Sequence, residues 1–68
     1  MTQNEQVLKH LNDCGSITSL EAAREYGIMR LSARIYDLKS QGYDISSASE
    51  TSRNRYGKPV SYFRYSLR

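Results

Sequence analysis

Residues 53 to 59, Arg-Asn-Arg-Tyr-Gly-Lys-Pro, carry the densest chemistry in the chain. Arg53, Arg55 and Lys58 are joined there by the amide of Asn54 and the ring of Tyr56, on a stretch that Gly57 and Pro59 dispose to turn. Three cations on one loop are donors for phosphate oxygens, and a guanidinium takes them in bidentate fashion. Solubility alone is better served by mixed Lys and Glu, and between Ala48 and Pro59 the lone acid is Glu50. The loop predicts a polyanion partner, its guanidinium groups straddling a duplex backbone or entering a minor groove, where negative potential is enhanced. The plain alternative is a solvated, charged loop.

A second set of candidates stands on Met29 to Ile45, MRLSARIYDLKSQGYDI. Leu31, Ile35 and Leu38 recur at the spacing that stacks side chains into one apolar stripe along a helix. At about 100° per residue, the opposite face carries Met29, Ala33, Tyr36, Asp37 and Ser40, with Arg30 and Ser32 on its flanks. That face is small and lightly charged, whereas a solvated helix normally carries Glu–Lys pairs, so it leaves room for a base-pair edge. Arg30, Ser32, Ala33 and Tyr36 are the candidate base readers, since Arg pairs with guanine and Ala touches a thymine methyl. Lys39 joins the phosphate set. Arg34 borders the buried stripe, so three roles stay open for it: DNA, an ion pair with Asp37, or a stem laid along the core. Tyr36 reads a base or packs against the loop, and Met29 reads as a turn residue.

No catalytic arrangement competes with this reading. The chain has no paired Ser and His, no carboxylate pair at defined spacing and no glycine-rich phosphate loop. Its single Cys14 and single His10 complete neither a disulfide nor a zinc site. The expectation is a binding protein that uses no cofactor or metal, not an enzyme.

The elements that must position these residues follow from caps and periodicity. Thr2 and Glu5 form a capping box for a helix over about 2–14, with Val7, Leu8 and Leu11 on its buried face and Gly15 at its end. Cys14 is expected partly buried and His10 exposed or on a flank. Ser16-Ile17-Thr18 suits an edge strand. Thr18 and Glu21 then open a second helix over about 19–26, with Leu20, Ala22, Ala23 and Tyr26 as its face and Gly27 as its stop. Thr18 and Ser19 are a phosphate contact at that helix start, or Thr18 is only a cap. Ala23, four residues before Gly27, permits close crossing of a third helix over about 29–41, which Gly42 ends. Strands follow at about 43–48 and 60–67, with Phe63, Tyr65 and Leu67 facing the helices and Tyr62 and Arg64 outward, joined by a wing over about 49–59.

Sixty-eight residues suit one domain, residues 1–68, near the lower limit for a core without disulfide or metal. Neither a membrane-length apolar run nor a signal peptide is present, which predicts a cytoplasmic protein. Residues 1–28 hold two cations against four acids, and residues 29–68 hold eight against three. The second half is therefore the one that faces a polyanion.

The order helix, short strand, helix, helix, strand, basic loop, strand resembles the winged helix-turn-helix domains across essentially the whole chain. Within it, GSITSLEAAREYGIMRLSARIYDLKSQGYDI, Gly15 to Ile45, is similar to small helix-turn-helix modules of phage and prophage genes. The resemblance implies an α+β fold of three helices with a small antiparallel sheet and a β-hairpin wing. It also implies double-stranded DNA binding through the third helix and wing, in transcription regulation or an excisionase-like role. A homodimer or cooperative array is the expected assembly. The competing reading is a protein–protein interaction module, a phage-encoded inhibitor or adaptor on the same scaffold, with Tyr56, Tyr62 and Arg64 as its contact surface.

Overall fold

Two reciprocal caps fix where the first two helices begin. In the computed structural model, which describes residues 1–68, the Glu5 N–H donates to the Thr2 hydroxyl and the Thr2 N–H to the Glu5 carboxylate, both at 3.1 Å. This exchange opens α1, Gln3–Cys14. Thr18 and Glu21 repeat it at 2.9 and 3.2 Å and open α2, Ser19–Tyr26. Gly15 and Gly27 stop these helices in the left-handed conformation, at φ 87° and 67°, where a side chain would be strained. The third helix, α3, spans Leu31–Ser40, shorter than 29–41 because Met29 and Arg30 are spent on the turn that leads into it. Its end is closed by the N–H groups of Gly42 and Tyr43, which donate to Lys39 and Leu38 at 3.0 and 3.2 Å.

Three strands complete the α+β fold: β1, Ser16–Thr18; β2, Ile45–Arg53; and β3, Pro59–Leu67, in the antiparallel order β1-β3-β2. β1 holds the edge position through three pairs ending at Thr18↔Arg64. β2 and β3 stay paired from Ile45↔Leu67 to Arg53↔Pro59, so the strands occupy most of the stretch expected as an open wing. The reason is that an antiparallel pair satisfies its backbone across the ladder and needs no core beneath it. Past β1, Ser49–Arg53 and Pro59–Phe63 continue as a two-stranded ribbon, reaching about 17 Å at 3.3–3.4 Å per residue. The molecule is accordingly elongated, 39 × 22 × 20 Å.

The core gathers one or more side chains from every element except β3: Val7 and Leu11 of α1, Ile17 of β1, Ala22 of α2, Ile28 of the turn, Leu31, Ile35 and Leu38 of α3, and Ile45 of β2. Leu8, Tyr26, Tyr65 and Leu67 pack on its margin. The apolar stripe of α3 is thus wholly consumed by packing. Four residues sit elsewhere than expected. His10 is buried, its Nδ1 2.7 Å from the Tyr26 hydroxyl and its ring edge-on to Tyr26 at 5.5 Å, because α2 covers that flank of α1. Cys14 is exposed at the last position of α1. Leu20 is 65% exposed, since the first turn of α2 lies beyond the core. Phe63 is 56% exposed because it lies one pair past the end of β1, where no helix closes over the sheet. No helix is long and apolar enough to cross a membrane.

Candidate nucleic-acid interface

With Leu31, Ile35 and Leu38 buried, helical geometry sends Ser32, Tyr36 and Lys39 out along one flank of α3 and Arg34 and Asp37 along the other. The two flanks have different neighbours. Ser32, Tyr36 and Lys39 face the hairpin across a furrow of about 260 Å³, whose other wall is Ser47 and Phe63 and whose floor is Ile35 and Tyr65. Tyr36 is 72% exposed and its ring is free for contact. Arg34 turns to α1 instead: Nη1 donates to Gln3 Oε1 at 3.4 Å, Nη2 lies 3.3 Å from Asp37, and Nε is enclosed without a partner. Of the three roles open to it, the geometry favours the structural one. Ala33 is half-buried, and Arg30 is exposed at the helix entrance with no capping bond.

The start of α2 offers less to an anion than the sequence suggests. Thr18 is buried, its hydroxyl and N–H are both engaged by Glu21, and that carboxylate already occupies the helix N-terminus. Thr18 is a cap. Ser19 remains exposed beside it, on the rim of a larger groove of about 790 Å³ that runs between α2, the turn and the hairpin. Leu20, Arg24, Met29, Arg53, Val60 and Tyr62 also line this groove.

At the hairpin tip the side chains divide into those that hold the turn and those left free. Asn54 Oδ1 accepts from the N–H groups of Tyr56 and Lys58 at 2.9 and 3.1 Å, and Arg53 Nη1 donates to the Gly57 carbonyl at 2.7 Å. Gly57, at φ 76°, closes the turn with an N–H bond to the Asn54 carbonyl at 3.0 Å. Arg55, Tyr56 and Lys58 are exposed, and no acid pairs with either cation.

Lower on the ribbon the charges are neutralised. Arg64, expected to point outward, is half-buried between Glu50 at 3.0 Å and Glu21 at 3.5 Å, and also donates to Ser16 at 3.1 Å. The Arg64 hydrogen bond, with help from Tyr62, holds the Glu50 carboxyl below its usual range. Reciprocally, the bond to Glu50 raises the Arg64 guanidinium. This cluster ties β1, α2, β2 and β3 together and leaves the cations of the tip as the hairpin's open charges.

The structure therefore brings Ser32, Tyr36 and Lys39 into one furrow and Arg53 to Lys58 onto one tip, while Thr18 caps α2 and Arg34 is engaged with Gln3 and Asp37. Phe63, Ser47 and Tyr65 were not among the expected site residues. Counting pairs from the three-residue β1 would have flagged Phe63, since a strand that short covers β3 only as far as Arg64.

A helix-turn-helix whose exposed third-helix flank opens onto an extended β-hairpin defines a winged helix-turn-helix protein. The known family described as winged helix-turn-helix domain matches residues 2–68, and the chain belongs to it. No curated protein and no solved structure is similar enough to match the chain.

Proposed function

We propose that the protein binds double-stranded DNA as a single winged helix-turn-helix domain, with α3 in the major groove and the hairpin tip on the flanking backbone or minor groove. The observation that carries this reading is the partition of charge. Lys9, Arg34, Arg64 and Arg68 have acidic partners. The cations left without one are Arg24, Arg30, Lys39, Arg53, Arg55 and Lys58, all on the helix-turn-helix and hairpin. Unpaired cations collect phosphates, and the release of counterions supplies most of the affinity. Arg53, Arg55, Lys58 and Lys39 are assigned to phosphates, and Arg30, Ser32, Ala33 and Tyr36 to base edges. Asn54 and Tyr56 shape and extend the tip.

The likeness of Gly15 to Ile45 to phage and prophage modules favours transcription regulation or an excisionase-like architectural role in such a genome. One module of this kind buries about 600–1,000 Å² on DNA, so tight specific binding calls for a homodimer or a cooperative array. Fluorescence-anisotropy titration against a random-sequence duplex at low salt tests the reading. Binding that weakens steeply with added salt is expected, and no binding at low salt removes DNA as the partner.

The second reading, a protein-interaction module such as a phage inhibitor or adaptor, is favoured by one observation. Leu20, Met29 and Val60 expose apolar surface together along the larger groove. The same titration separates the two, because a module built only for protein contact shows no salt-dependent duplex binding.

A further inference from the structure

A helix in the major groove and a hairpin tip in the neighbouring minor groove are separated by one backbone strand of the duplex. Whatever surface lies between the helix and the hairpin must therefore face that strand. Here that surface is the furrow between Ser32, Tyr36 and Lys39 of α3 and Ser47 and Phe63 of the ribbon. Resting on the duplex-binding reading above, we infer that this furrow seats one sugar–phosphate strand, with the Phe63 ring against deoxyribose and Lys39 and Ser47 at phosphate oxygens.

The composition of the ribbon supports this occupant. On the face that carries Phe63, the residues between the core and the Arg53–Pro59 pair at the tip are Ser47, Ser49 and Thr51 of β2 and Ser61 of β3, all small hydroxyl side chains. A backbone strand can approach such a wall closely and find donors for its oxygens along it. Phe63 is the exception. It leaves more than half of its surface in water, an unfavourable exposure that packing within the chain does not relieve. A DNA strand alternates apolar C–H faces of deoxyribose with charged phosphates, and the furrow alternates an aromatic ring with hydroxyls and one unpaired ammonium. The match is to the sugar as well as the charge, because a 2′-hydroxyl against the ring would lose its hydration, so the site favours deoxyribose over ribose.

Phe63 is the chain's single phenylalanine, which makes the test direct. Protein carrying ¹³C-labelled phenylalanine is mixed with a short mixed-sequence duplex, and isotope-edited NOE spectra are recorded. Cross-peaks from the ring to deoxyribose protons are expected. Cross-peaks to base protons alone overturn the inference, as do ring signals that stay unmoved while the amides of α3 and the hairpin tip shift. If no amide shifts with duplex at low salt, the DNA-binding reading itself has failed. A Phe63→Ala protein supplies an independent readout, since the ring lies outside the core and the variant keeps its fold. Its affinity for duplex should fall about tenfold, with the slope against salt unchanged, because a lost apolar contact releases no counterion. Undiminished affinity of the folded variant also overturns the inference.

Discussion

The three-helix body and the hairpin arm solve opposite problems with the same chain. In the body, α1, β1, α2 and α3 bury seven of the nine core side chains and the turn before α3 an eighth, Ile28, while the ninth, Ile45, stands at the root of the arm. Beyond Arg64 the arm buries nothing fully, and its cations from Arg53 to Lys58 have no acidic partners. The body resists water by packing, whereas the arm holds its shape by a backbone ladder and by Asn54 and Arg53 clasping the turn. On the proposed reading, stability rests on the body and binding on the exposed arm and α3 flank, with Arg53 serving both the turn and the duplex.

The largest expected effect comes from removing a core side chain. Leu31→Ala should lower the unfolding free energy by about 2–5 kcal/mol in urea titration, while Arg55→Ala should stay within about 0.5 kcal/mol of the parent. Comparable losses in the two variants would erase the division between body and arm. A smaller effect is expected at Thr18, where the cap is held from both sides by Glu21. Thr18→Ala should cost about 1 kcal/mol of stability and leave the salt dependence of duplex binding as it was. A shallower salt slope in that variant would move Thr18 back among the phosphate contacts.

The smallest effect sits at the joint between the two regions. Because Arg64 holds the folded Glu50 carboxyl below its ordinary value, Glu50 contributes stability that is full above that ordinary value and is lost as pH falls through the lowered one. Glu50→Gln should therefore flatten the acid limb of the melting-temperature profile, the two proteins converging as pH drops. Parallel profiles at every pH would show that the pair does not couple the arm to the body.

Local chemistry explains which parts of this arrangement were legible in the sequence. Both capping boxes, the left-handed glycines and the Leu31–Ile35–Leu38 stripe depend on residues within one or two turns of each other, and the structure realises them. Contacts set by distant segments were not legible in that way. His10 is buried because α2, sixteen residues on, brings the Tyr26 hydroxyl to its ring. Phe63 keeps the alternation of a buried strand face, but β1 ends before it and an open furrow separates it from α3. Arg34 sits on a border that only the position of α1 resolves. The candidate site follows the same rule: the cationic tip was readable from residue types, whereas the furrow beside α3 exists only once β2 and β3 are laid alongside it.

In the proposed complex the arm supplies the charge that holds a duplex beside α3. The direct measurement is duplex affinity across a series of salt concentrations for the parent and for a protein with Arg53→Ala, Arg55→Ala and Lys58→Ala together. Each phosphate contact contributes about 0.9 to the slope of log affinity against log salt. The slope of the triple variant should be shallower by about 2–3, with its unfolding midpoint in urea little changed. A variant that folds normally and binds duplex with the parent's slope would contradict the account.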